Sequence, residues 1–149
     1  METNNSSAKQ LIEKLKDFAD EIYREIGSGH AEKIYEQAIL VCLRDAGFKY
    51  EHQKVVELTF RGHYIGEGFA DIVVRCGDGG FVVLEIKAVS AKLGWPEITQ
   101  IKKYMSYLKV NDGLLMNFPQ PGKTKSHKKT EVEFKVLPEV DNSHAGMDS

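Results

Sequence analysis

The chain has 149 residues, 42% hydrophobic and 28% charged, with a formal net charge of −2. That is enough apolar material for one packed core, and it argues against a strongly basic protein that coats nucleic acid, although a local basic patch can coexist with acidic tails. No apolar run is long enough to span a bilayer, the first ten residues carry no secretory signal, and Cys42 and Cys76 form no C-x-x-C pair, so an intracellular protein, cytoplasmic or nuclear, with reduced thiols is expected.

Residues 1–7 are polar and are expected to be disordered. From 8 to 26, Leu11, Leu15, Phe18 and Ile22 fall at spacings of three and four, the mark of an amphipathic helix. Gly27 suits the left-handed position after that helix, and Ser28 suits the N-cap of a second helix over 30–46. Strands follow at 48–52, 55–60, 65–75 and 81–89, with turns at Arg61-Gly62 and over 77–80. Pro96 introduces a third helix over 97–109. A buried strand over 113–118, a lysine-rich loop, an alternating edge strand over 131–136 and an acidic, disordered tail over 139–149 complete the chain. This order predicts a single α/β domain over 8–138, a mixed sheet flanked by helices.

The strand FVVLEIKAV, residues 81–89, is apolar but carries Glu85 and Lys87 on one face. A hairpin symmetric about Asp78 puts Asp71 opposite Glu85, with Cβ atoms roughly 4.5–5.5 Å apart. Facing carboxylates repel unless a cation lies between them, and an all-oxygen pair suits Mg²⁺ or Mn²⁺. A solvated cluster of ions is the competing reading. The apolar neighbours Phe69, Val73, Phe81 and Val83 argue instead that this face is covered.

Asp71 with Glu85-Ile86-Lys87 resembles the PD-(D/E)XK nuclease motif, with Ala70 in place of the proline. Gly29-x-x-Glu32-x-x-Tyr35, then AGF, GFADIVV, LEIKAV, the Gln100–Tyr104 helix and GLLMNF, follow the order of the GxxExxY family, a branch of that superfamily, over residues 8–118. The resemblance implies a restriction-endonuclease-like αβββαβ core with an additional N-terminal helix. It implies a Mg²⁺- or Mn²⁺-dependent nuclease whose metal is held by Asp71, Glu85, the Ile86 carbonyl and Glu32. Lys87 would orient water or stabilise developing negative charge. Gln100 and Tyr104, four apart on one helix face, resemble a Q-x-x-x-Y element that touches the scissile strand; packing of Tyr104 with Tyr107 and Leu108 is the other reading. Tyr35 is expected to be a core or helix–sheet contact rather than a catalytic group.

Lys102 and Lys103 on the third helix, and Lys123, Lys125, Lys128 and Lys129 in the loop, are the candidate phosphate contacts. DNA is the expected substrate, recognised by structure or by ends rather than by sequence, and a two-fold homodimer would suit a duplex or branched substrate. A catalytically silent nuclease fold that binds nucleic acid or a protein partner is the competing function. His30-Ala31-Glu32 matches the H-x-E of zinc deaminases, but no P-C-x-x-C follows, and no G-x-x-x-x-G-K-[ST] loop is present. His52, His63, His127 and His144 are read as surface or packing residues.

Overall fold

Leu11, Ile12, Leu15, Ala19 and Ile22 form the buried stripe of α1 (Asn4–Ile26) in the computed structural model, which describes residues 4–122 and 131–139. The helix begins at Asn4 rather than at residue 8, so residues 4–7 of the segment expected to be disordered are helical. No Gly or Pro stands between Asn4 and Ala8 to stop the first turn. Residues 1–3, the loop lysines Lys123, Lys125, Lys128 and Lys129, and the tail over 140–149 lie outside the described residues. Gly27 closes α1 in the left-handed conformation, with φ +70°, and donates its N–H to Tyr23 O at 2.9 Å.

The second helix, α2 (Glu32–Asp45), starts two residues later than its sequence pattern suggests. Its N-cap is Ala31, not Ser28, and that residue makes no side-chain cap. Gln120, some ninety residues away in the chain, bonds to Gly29 and His30 and holds this link instead.

Among the described residues five strands follow: β1 (Tyr50–Phe60), β2 (His63–Arg75), β3 (Phe81–Lys87), β4 (Asp112–Asn117) and β5 (Glu133–Leu137), with α3 (Trp95–Leu108) between β3 and β4. They form one sheet in the order β1-β2-β3-β4-β5. All neighbours are antiparallel except β3 and β4, which α3 joins as a parallel crossover. The expected αβββαβ core with an extra N-terminal helix is therefore present. α1 and α2 cover one face through Ile72, Val74, Leu84, Ile86, Leu114 and Met116. α3 covers the other through Val73, Val83, Leu115, Ile101 and Met105. Among the described residues, no helix is long and apolar enough to cross a membrane.

Two strand assignments needed the third dimension. The two segments expected at 48–52 and 55–60 form one strand, β1, which begins at Tyr50 and whose alternation is broken internally by Gln53 at φ +55°. Directly across the ladder, β2 turns over at Asp71. Ala70 packs into the α3-side cluster while Ile72 packs into the α1/α2 side, although residues two apart in a regular strand share a face. Phe69 is consequently 46% exposed, not covered. Phe81, at the start of β3 beside the turn, is likewise 40% exposed, whereas Val73 and Val83 are buried as expected.

Candidate active site

The β2–β3 ladder runs from Arg75↔Phe81 to Ile72↔Leu84. One further step in that register sets Asp71 against Glu85, the pairing read from a hairpin symmetric about Asp78. At this step carboxylates replace the ladder. Asp71 N donates to Glu85 Oε2 at 2.8 Å, and Ile86 N donates to Asp71 Oδ2 at 2.8 Å. Each acid thus satisfies the opposite strand's backbone where the strands part, and leaves one oxygen for other work.

Glu85 is buried and Asp71 half-buried. Loss of solvent pushes the Asp71 carboxyl up to about 6, with the charges of Glu36 and Glu32 adding to the rise. Burial, then the charge of Asp71, pushes Glu85 up to about 8. Lys87, half-buried two residues beyond Glu85, opposes both shifts.

Two acids of α2 face this pair. Glu32, the first residue of the helix, has a carboxyl raised by desolvation, with Lys87 lowering it and Glu36 raising it. Glu36 went unremarked in the sequence. It is 6% exposed; its Oε2 accepts from Gln53 Nε2 at 2.7 Å and lies 2.7 Å from His52 Nε2. Its position four residues after Glu32, on the same helix face, was the available signal. His52, exposed as expected, is also a partner of this buried acid.

The G-x-x-E-x-x-Y stretch has a physical logic. Gly29 sits at φ +97°, which side-chain-bearing residues rarely adopt. Its N–H donates to Gln120 Oε1 at 3.0 Å, and Gln120 Nε2 donates to His30 O at 2.9 Å. Tyr35, fully buried as expected of a helix–sheet contact, stacks on Phe118 at 4.3 Å and donates its hydroxyl to Gly27 O at 2.6 Å. Glycine and tyrosine thus fix the loop that aims Glu32.

From the other face, α3 brings Gln100 and Tyr104 to the site, with Gln100 Nε2 donating to Tyr104 OH at 3.3 Å. Tyr104 lies flat against Gly68, where a Cβ would fall 2.7 Å from the hydroxyl. Burial raises its phenol, and the charges of Glu85 and Asp71 raise it further. The ring packs beside Leu108 in the α3 cluster, as the packing reading expects, and the hydroxyl senses the two carboxylates. Tyr107 is exposed. Lys102 and Lys103 stand on the outer face of α3, with Lys102 Nζ 6.0 Å from the Trp95 ring and 3.7 Å from Glu139.

Among the described residues, no three His, Cys, Asp or Glu side chains form a ready-made metal cluster. The donor set nonetheless suits a hard divalent ion: two desolvated carboxylates, each with one oxygen uncommitted to the backbone. Mg²⁺ commonly takes one or two protein carboxylates and completes its shell with water and phosphate.

A mixed sheet with a crossover helix, and an acid–acid–lysine set where two strands part, defines the class as a restriction-endonuclease-like fold. A family model described as the PD-(D/E)XK nuclease superfamily matches residues 9–130, and the chain belongs to that superfamily. The solved structure titled "Crystal structure of SSO0001" is similar in fold, with a TM-score of 0.51 and 19% identity over 76% of this chain. The match takes in 53% of that chain, so the present one spans about half its length. No curated protein matches significantly.

Proposed function

We propose that this protein is a divalent-cation-dependent nuclease that hydrolyses phosphodiester bonds, with DNA as substrate and recognition by structure or ends. One observation carries this reading: Asp71 and Glu85, desolvated and cross-bonded, face each other beside Lys87 where β2 and β3 separate. Structural ion clusters seldom bring like charges together in a covered site. The Gly29–Glu32–Tyr35 stretch supports placing the chain in the GxxExxY branch.

Asp71 and Glu85 would hold Mg²⁺ or Mn²⁺, with the Ile86 carbonyl and Glu32 as further oxygen donors. When bound, that cation supplies Lewis acidity toward a phosphate oxygen and toward water. Lys87 places an ammonium where the phosphorane-like transition state gathers negative charge. Glu32, exposed at the start of α2, would orient the water with the oxygen not used for the cation and take its proton as the water oxygen bonds to phosphorus. The P–O bond to the leaving oxygen breaks, and that oxygen takes a proton from solvent. Gln100 and Tyr104 position the scissile strand. Lys102 and Lys103, with Lys123, Lys125, Lys128 and Lys129, bind flanking phosphates.

The test is incubation of linear, nicked and branched DNA, and RNA, with Mg²⁺, Mn²⁺ or EDTA. Cleavage in either metal, lost in EDTA and reduced at least about 100-fold in Glu85→Ala and Lys87→Ala, supports the nuclease. One observation favours a silent binding module instead: one oxygen of each carboxylate is already engaged by backbone. Binding that persists without cleavage in every metal would establish that reading.

A further inference from the structure

The β1–β2 ladder does not stop at Asp71. It continues from Lys54↔Ala70 to Phe60↔His63, while β2 pairs with β3 only over Ile72, Val73, Val74 and Arg75. The hairpin therefore extends past the candidate site as a two-stranded arm, roughly 25 Å long for eight residues of β2. Its base is anchored: Val56 and Ala70 are buried against α3, and Gly68 lies under Tyr104. Its tip is bare, with Phe60 60%, Tyr64 59% and Ile65 64% exposed.

The tip ends in a tight turn. Arg61 at φ +51° and Gly62 at φ +78° form a two-residue turn of the kind that matches strand twist. Arginine is strained there, and its guanidinium carbon lies over the exposed Phe60 ring at 5.1 Å. The register shifts between Leu58↔Gly66 and Thr59↔Tyr64, which leaves Ile65 as an extra, outward residue. Below the tip the charge reverses. Glu57 pairs directly with Glu67, whose Oε1 accepts the Tyr64 hydroxyl at 3.0 Å.

A cationic aromatic tip above an acidic waist suits one kind of contact. The facing glutamates repel a phosphate backbone running along the arm, so the arm is not a groove-lying rail. An aromatic ring capped by a guanidinium stacks well on an unpaired base. We propose that the tip, Phe60 with Arg61, is a wedge that stacks on unpaired bases of the nucleic acid cut at the Asp71–Glu85 site, directing the enzyme to forks and frayed ends. This rests on the nuclease reading of that site.

Binding of the full chain to DNA in EDTA, where no cleavage intervenes, tests it. A fork carrying 2-aminopurine at the first unpaired position is compared with a blunt duplex by anisotropy and by base fluorescence. The wild type should bind the fork about tenfold tighter than the duplex and change the 2-aminopurine signal. Phe60→Ala/Arg61→Gly, in which glycine suits the turn, should lose both effects, and Phe60→Trp should keep them. Equal affinity of the wild type for fork and duplex, or an unchanged fork preference in the double variant, overturns the proposal. So does a wild-type dimer that the double variant converts to monomer with fork binding intact, since the tip would then be a subunit contact. Failure of the nuclease reading looks different: no cleavage with Mg²⁺ or Mn²⁺, while the tip-dependent fork preference remains.

Discussion

Glu36 sits one helical turn past Glu32, a spacing that places it on the same helix face but does not reveal its partners. Its donors, His52 and Gln53, come from β1, so its burial is decided by a strand that sequence periodicity split in two. Its charge is one cause of the raised Asp71 carboxyl. Glu36→Gln keeps an acceptor for Gln53 but removes that charge, so the Asp71 pKa should fall. Carboxyl-carbon NMR titration should show it, and the acid limb of the pH–rate profile should move to lower pH. Glu85 makes a second prediction, on stability. Its native carboxyl titrates near 8 against an ordinary 4.5. Between those values the folded state holds a proton that the unfolded chain has released, so stability falls as pH rises, the reverse of a salt-bridged acid. Without divalent cation, Glu85→Gln should match the wild type in urea unfolding at pH 4 and exceed it at pH 8. A wild type that gains stability across that window would show the Glu85 environment to be wrongly described.

Among the elements, β2 carries the most consequence, because it changes faces at the residue that bears the carboxylate. A regular strand would bury Ala70 and Ile72 on one side; here they enter opposite clusters, opposite Gln53 at φ +55°. That reversal lets Tyr104 of α3 lie on Gly68. Gly68→Ala drives a methyl to 2.7 Å from the Tyr104 hydroxyl and 3.0 Å from its ring edge. It should cost about 1–3 kcal/mol, and a double-mutant cycle with Tyr104→Ala should show strong coupling rather than additivity. Tyr35→Phe, which removes the bond to Gly27 O, should cost about 0.5–1.5 kcal/mol and lower cleavage by loosening the loop before Glu32. These cases mark what was legible. The Asp71–Glu85 register follows from a turn symmetric about Asp78, a local property that sets Arg75 opposite Phe81, and the burial of Tyr35 was expected of a core or helix–sheet contact. The reversal in β2, the exposure of Phe69 and the Glu36–His52 pair arise from contacts between segments far apart in sequence. Propensity and alternation carry no information about those.

At the scale of the whole molecule, the site is a strain on the fold that a ligand can relieve. Two acids are forced together under burial, and their ionisation works against folding above the window in which Asp71, near 6, and Glu85, near 8, titrate. A divalent cation needs both in the charged form, so binding and folding are linked through the same protons. At pH 8.5, a cation present at 100 times its dissociation constant should stabilise the native state by about 2.7 kcal/mol. For a chain of this size that is a rise in melting temperature of roughly 5–11 °C. At pH 5, where Glu85 stays protonated, the same concentration should give little or no rise. Scanning calorimetry with Mg²⁺, Mn²⁺ or EDTA at the two pH values reads this directly, without nucleic acid and without turnover. Glu85→Gln should remove the gain at pH 8.5 while melting higher than the cation-free wild type. An equal rise at both pH values would place the cation elsewhere on the surface. No rise at pH 8.5 would mean that the paired carboxylates do not capture one in the absence of phosphate.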